Sequence, residues 1–286
     1  MDKKYLGAIF LVLFVIAESL DIILLKYVFL QGAQPYQFVY QSLFLAGIFV
    51  TIYLFFSRKK DLKFSRRDIP AIVTIGILAN GLGDLFWLIG LKLSTASTFG
   101  FLNKLSVVFV MVFALIILGE KFSKKKGFFL LLILFGGYLI STNGETFRIQ
   151  LSDIFIIAGV ASFALSHVIS KKINTRNSPQ YIAISRFFCG SLVLFFASFL
   201  LFENVFVFNY WPYVIIDGIL MFSFVLFFYK SMELKSASFV ASFSSIVPVL
   251  VATIAFFIFG EVMTYIQIIG GVIILISVSL LPWINI

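Results

Sequence analysis

Apolar stretches long enough to cross a bilayer fill this chain from end to end, and little polar sequence separates them. A membrane helix needs about 20 mostly apolar residues. Hydropathy and the breaks between runs predict ten such spans, at 5–30, 35–56, 69–91, 95–119, 126–142, 150–171, 180–202, 210–230, 236–259 and 265–284. The expected fold class is therefore an all-α integral membrane protein with ten transmembrane helices. Composition agrees: charged residues make up 12% of the chain, half the ~25% of a soluble globular domain. Polar side chains are too few to cover a surface facing water, so lipid has to be the solvent for much of it. The 38 phenylalanines and 11 tyrosines suit lipid-facing and interfacial surfaces. The longest connection, 57–68, is too polar to enter a membrane and too short to fold alone. Met1-Asp2-Lys3-Lys4 before an apolar run looks like a secretory leader. However, no Ala-x-Ala-like site follows, and Glu18 and Asp21 interrupt where cleavage is expected. The run is expected to be the first span, retained in the mature protein.

The chain also repeats itself at a distance of 141 residues. Leu93-Ser94-Thr95-Ala96-Ser97 returns as Leu234-Lys235-Ser236-Ala237-Ser238. Phe86, Val108, Val110, Ala114, Ile117, Gly119 and Glu120 return as Phe227, Val249, Val251, Ala255, Ile258, Gly260 and Glu261. Both copies lie within the apolar runs, so the repeating unit is a block of membrane helices, with copies expected at 1–146 and 147–286. The amino terminus and the loops after spans 2, 4, 6 and 8 carry 17 of the 22 lysines and arginines. That asymmetry places both termini in the cytoplasm and makes the +9 net charge a topology signal rather than a nucleic-acid footprint. Five spans per copy is an odd number, so the second copy enters the membrane from the other side. Two inverted five-helix repeats with a site between them are a construction of secondary transporters.

Ala237-Ser238-Phe239 through Pro248, then Phe259-Gly260-Glu261, Gln267 and Gly270-Gly271, resemble the EamA-type signature of the drug/metabolite transporter superfamily. Ala96 through Leu118-Gly119-Glu120 is the partner in the first copy. The first copy departs from the pattern, with Val107 where the second has Pro248, and Asn103-Lys104 in place of small apolar or hydroxyl residues. The resemblance covers essentially the whole chain. It implies a proton-linked or passive carrier of small metabolites, often amino acids or their relatives, in the cytoplasmic membrane, with no catalytic residue. The Gly-Glu pairs are expected to be tight turns: glycine ends span 4 or 9, and Ser123 or Thr264 caps the next helix, Thr264 and Gln267 fitting a capping box.

Charges inside the spans carry the functional expectation, because an ionisable group near mid-membrane costs at least ~2.5–3.5 kcal/mol and usually faces protein or water. Glu18 and Asp21, three residues apart, share one face of span 1, and Asn80 and Asp84 share one of span 3. Asn103 and Lys104 lie near the middle of span 4, and His167 in the inner half of span 6. Three carboxylates face one ammonium in this set. Two carboxylates that close cannot easily both ionise in low dielectric, which suits proton coupling. The competing reading is an ion-pair network holding spans 1, 3 and 4 together. Trp87 supplies an aromatic wall or belongs to the interfacial belt, and Ser244 is one of several hydroxyls expected on a cavity lined by spans 1, 3, 4, 6, 8 and 9. Arg186 and Asp217 are shallow enough to reach an interface, with Arg186 expected to snorkel.

Several chemistries are excluded. Gly81-Leu82-Gly83-Asp84 has the Gly-x-Gly-Asp form of intramembrane aspartyl proteases, but the Tyr-Asp pair and Pro-Ala-Leu that such enzymes need are absent. So are His-Glu-x-x-His, Walker A and Gly-x-Ser-x-Gly patterns. One histidine and one cysteine, Cys189, leave no His- or Cys-based metal site and no intramolecular disulfide. The expectation is a non-enzymatic secondary transporter that moves a small polar metabolite, by export and with proton coupling, and needs no cofactor. Its partners are a small-molecule substrate, the bilayer and protons; a homodimer stays open. The alternatives are uptake of a cationic solute such as a quaternary amine or polyamine, and a non-transporting membrane scaffold.

Overall fold

In hydrocarbon every backbone N–H and C=O needs an internal partner, so apolar runs of this length fold as helices. The computed structural model describes residues 3–56, 63–119, 124–143, 150–173, 177–206, 208–234, 240 and 243–283. The helices are α1 (Lys3–Leu30), α2 (Pro35–Phe56), α3 (Arg66–Leu93), α4 (Ala96–Leu118), α5 (Lys124–Thr142), α6 (Leu151–Ile173), α7 (Pro179–Leu201), α8 (Trp211–Leu234), α9 (Val247–Phe259) and α10 (Tyr265–Leu280). Among the described residues there is no strand. Eight helices are long and apolar enough to cross a membrane, while α9 and α10 are shorter. The expected ninth span began at 236. In the described structure helical residues occur at 240 and 243–244, a turn follows at 245–246, and α9 starts at Val247 with Pro248 in its first turn, the position where a missing N–H and a fixed φ favour starting a helix. Parts of the expected loops, 57–62 and 120–123, lie outside the described residues, as do 235–239, which hold most of the second Leu-x-x-Ala-Ser copy.

Two helices are interrupted where the polar residues sit. α3 runs through a wider, π-helical stretch at Ile77–Gly83. α4 is broken by a 3-10 turn at Asn103–Leu105. The residues aligned with that break, 244–246, include a tight turn at 245–246 ahead of α9. Both copies therefore interrupt the same helix at aligned positions.

Helix pairing follows the repeat. α1 packs on α8 as α3 packs on α6, α1 touches α9 as α6 touches α4, and α2–α8 matches α3–α7. Three further seams, α2–α7, α4–α9 and α5–α10, join each helix to its own counterpart. Exchanging the two sets of five maps each of these principal seams onto another of them, as two five-helix repeats require. Gly119 and Gly260 end α4 and α9 in the left-handed region, at φ 65° and 67°, where a Cβ would be strained. Thr264 and Gln267 form the expected capping box at the start of α10. The fully buried core includes Leu11, Phe38, Leu43, Leu88, Leu91 and Phe99. Outside it stand Phe55, Phe56, Phe199, Leu200 and Phe257, all strongly exposed. So much outward apolar surface is a liability in water and a requirement in lipid.

Candidate functional site

Four carboxylates lie inside the bundle: Glu18 and Asp21 on α1, Asp84 on α3 and Asp217 on α8. Asp21 and Asp84 are buried, and Asp217 has no exposed surface. Asp21 is the meeting point, since it contacts the Asp217 carboxyl and lies within electrostatic reach of Glu18 and Asp84. Glu18 Oε2, Asp21 Oδ1 and both Asp217 oxygens receive no hydrogen bond from the described residues. Glu18 and Asp21 therefore do share a face, but the closest carboxyl neighbour of Asp21 comes from the other repeat.

Two cations serve this cluster, and they serve different members. Lys104, at the 3-10 break of α4, acts on Glu18 and donates from Nζ to the Ser244 carbonyl at 3.0 Å. The break leaves backbone carbonyls free, and an ammonium is a natural donor to them. Arg186 does not snorkel as expected. Its Nε donates to Asn80 Oδ1 at 3.0 Å, and Asn80 Nδ2 donates to Asp84 Oδ2 at 3.0 Å. An inward partner at hydrogen-bond distance outweighs a reach to headgroups along an apolar path. Asp84 thus belongs to Arg186 rather than to Lys104, and the expected trio of carboxylates around one ammonium is corrected to two separate units. The seven residues of the π-helical stretch put Asn80 and Asp84 on the face that meets α7. Contact there is so close that a Cβ added at Gly190 of α7 would clash with Asn80 Cβ.

Trp87 is not a belt residue. Its Nε1 donates to Asn103 Oδ1 at 3.3 Å, and its ring meets Phe99 edge-on with centroids 4.4 Å apart. It ties α3 to the break in α4, and Asn103 is thereby oriented. His167, near the end of α6, is exposed, and Arg186 lies within electrostatic reach. Arg186 also acts on Tyr229. Tyr229 lines a narrow recess with Val50, Tyr53, Gln180, Phe222 and Lys230, at the end of the bundle where α1 starts. Helix α7, left out of the expected lining, contributes Arg186 and is part of the site.

The end where α1 finishes is held differently. Lys26 Nζ donates to the carbonyls of Leu91 at 3.2 Å and Lys92 at 3.3 Å, and also to that of Ser94. It thus caps the carbonyl end of α3. Glu261, just past α9, accepts from Ala96 N at 2.8 Å, Ser97 N at 2.9 Å and Ser97 Oγ at 2.7 Å. A carboxylate at a helix amino end satisfies free amides and complements the dipole. The Gly-Glu pair is the turn that was expected, and its glutamate also clamps α4 of the other repeat. Lys26, together with Glu261, read from sequence only as part of a turn, is a structural member of this end, and Asp217 joins the carboxylates. An isolated charge inside an apolar run was the available sign for Arg186 and Asp217; nothing in the sequence points from Glu261 to the start of α4.

The sequence matches the EamA-like transporter family over residues 5–142 and again over 150–282, and the chain belongs to that family. Among curated proteins none matches it by sequence. One solved structure, described only as the crystal structure of a protein, aligns over 98% of this chain and 95% of its own length, with a TM-score of 0.63 at 15% identity. That likeness bears on the fold alone. Membership makes the chain a multi-pass, non-enzymatic membrane transporter of small molecules.

Proposed function

We propose that the protein exports a small polar metabolite, an amino acid or a related compound, across the cytoplasmic membrane in exchange for protons. The observation that carries this reading is the buried polar cluster contributed by both repeats. It holds the acids Glu18, Asp21 and Asp84 together with the cations Lys104, beside Glu18, and Arg186, joined to Asp84 through Asn80. A zwitterion presents both charges, and such a cluster offers a complement to each. In this reading Glu18 and Asp21 exchange proton for substrate, Asn80 and Asp84 form the α3 wall with Trp87, Asn103 and Lys104 mark the break in α4 against Ser244, and His167 lines the approach. The halves 1–146 and 147–286 rock about this site with both termini in the cytoplasm, as the basic loops suggest.

Comparing metabolites in cells with and without the gene nominates substrates, and flux in proteoliposomes tests them. Accumulation against a gradient driven by an imposed pH difference, lost in Glu18→Gln, is the expected result. Flux that ignores the pH gradient removes the proton from the reading, and absence of flux for every nominated zwitterion removes the substrate class. The four carboxylates outnumber the two cations, and that imbalance favours a second reading, uptake of a cationic solute. The same liposomes loaded with a polyamine or a quaternary amine distinguish it.

A further inference from the structure

The contact between Asp21 and Asp217 has no place in an ionised protein. Asp217 has no exposed surface, and neither of its oxygens meets a donor among the described residues. Asp21 leaves Oδ1 in the same condition. Yet the two carboxyl groups meet across the α1–α8 seam within side-chain hydrogen-bonding contact. With both ionised, acceptor faces acceptor and two negative charges share a dry site, which a protein interior does not tolerate unpaired.

No cation relieves them. Lys104 acts on Glu18, and Arg186 is joined to Asp84 through Asn80. Helices α2 and α9, which also pack on this seam, carry no charged residue. From α2, the Ser42 hydroxyl lies close to Asp217 and 3.5 Å from the Phe38 carbonyl, and it carries no charge to offset a second carboxylate. Tyr213, one turn before Asp217, meets the ring of Tyr27 of α1 at a tilt, with centroids 5.8 Å apart. The other titratable groups facing the pair are Glu18 and Asp84, both acidic. The described residues also form no cluster of three or more metal-ligating side chains.

We infer that Asp21 and Asp217 bind one proton between them, and that this shared proton links the first repeat to the second across the α1–α8 seam. One carboxyl group then donates to the other, and the pair holds a single negative charge. Release of the proton to water leaves two carboxylates that repel and require hydration, so α1 and α8 separate at this level; capture from either side closes them. Its part in transport rests on the proposed proton exchange and moves the proton from Glu18–Asp21 to Asp21–Asp217, leaving Glu18 to Lys104 and the substrate.

The test is infrared spectroscopy of the purified protein in lipid nanodiscs with carbon-13-labelled aspartate. At neutral pH the native protein should show a protonated aspartic acid carbonyl band that disappears on alkaline titration. Asp21→Asn and Asp217→Asn should each remove the same part of that band, and the double variant should remove no more than either one. Additive losses, or single variants that keep the full band, overturn the shared proton. The native spectrum alone is decisive if the variants fail to fold, because a protein without any such band at neutral pH carries no proton there. No substrate enters these spectra. A band without flux therefore sinks the transport reading alone, and proton-driven flux without the band sinks the pair alone.

Discussion

Glu261→Ala should loosen α4 from the second repeat by about 2–4 kcal/mol. The carboxylate accepts three hydrogen bonds, at 2.8, 2.9 and 2.7 Å, from Ala96 N, Ser97 N and Ser97 Oγ. Each bond to a charged acceptor contributes about 1.5–3 kcal/mol when dry. Ala96 and Ser97 are buried while Glu261 is half-buried, so water replaces part of the loss and the net cost falls below the sum of three such bonds. The range also agrees with about 0.5–2 kcal/mol for a helix cap plus up to ~2 kcal/mol for a charge at a helix amino end. Glu261→Gln keeps one acceptor, loses the charge and turns an NH2 group toward a backbone N–H, so about 1–2 kcal/mol is expected. The assay is unfolding in mixed micelles titrated with denaturing detergent, supported by thermal midpoints. A double-mutant cycle with Ser97→Ala should show coupling, because both changes remove the same bond. Glu261→Gln within ~0.5 kcal/mol of native, or strict additivity with Ser97→Ala, would mean that the carboxylate is solvated in the working protein and does not clamp α4.

Lys104→Ala leaves Glu18 without its ammonium; breaking a buried pair costs about 3–5 kcal/mol, and folded yield should recover with Glu18→Gln but not with Asp84→Asn. Rescue by Asp84→Asn would place Asp84 with Lys104 after all. Arg186→Lys should behave nearly as badly as Arg186→Ala, since a lysine ammonium lacks the Nε donor that meets Asn80; full stability in the lysine variant argues against the Arg186–Asn80–Asp84 chain. Gly190→Ala forces a Cβ into Asn80 Cβ, and overpacking of this kind costs about 1–3 kcal/mol; an unchanged denaturation midpoint would show that α3 and α7 are not held this closely. Cysteines in 57–68 and 121–126 should resist an impermeant thiol reagent in intact cells and react after lysis, and labelling from outside would reverse the proposed orientation.

Membrane class, helix number and the two-copy plan were legible in the sequence because lipid imposes a one-dimensional rule: about 20 apolar residues make a span, and a duplicated block repeats its spacing. Gly119, Gly260 and the Thr264–Gln267 box were readable for a related reason, since a helix end is a local problem solved by neighbouring residues. The presence of charge in the bundle was legible too, residue by residue. Which charge faces which was not, because partners such as Arg186 and Asn80, 106 positions apart, are chosen by helix rotation and seam. Hydropathy is nearly symmetric around these helices and carries no record of rotation. The sequence therefore determined that Glu18, Asp21 and Asp84 would need company inside the membrane. Only the packing of α1 on α8 and of α3 on α7 decided that Asp84 reaches a guanidinium through Asn80, and that Asp21 meets another acid.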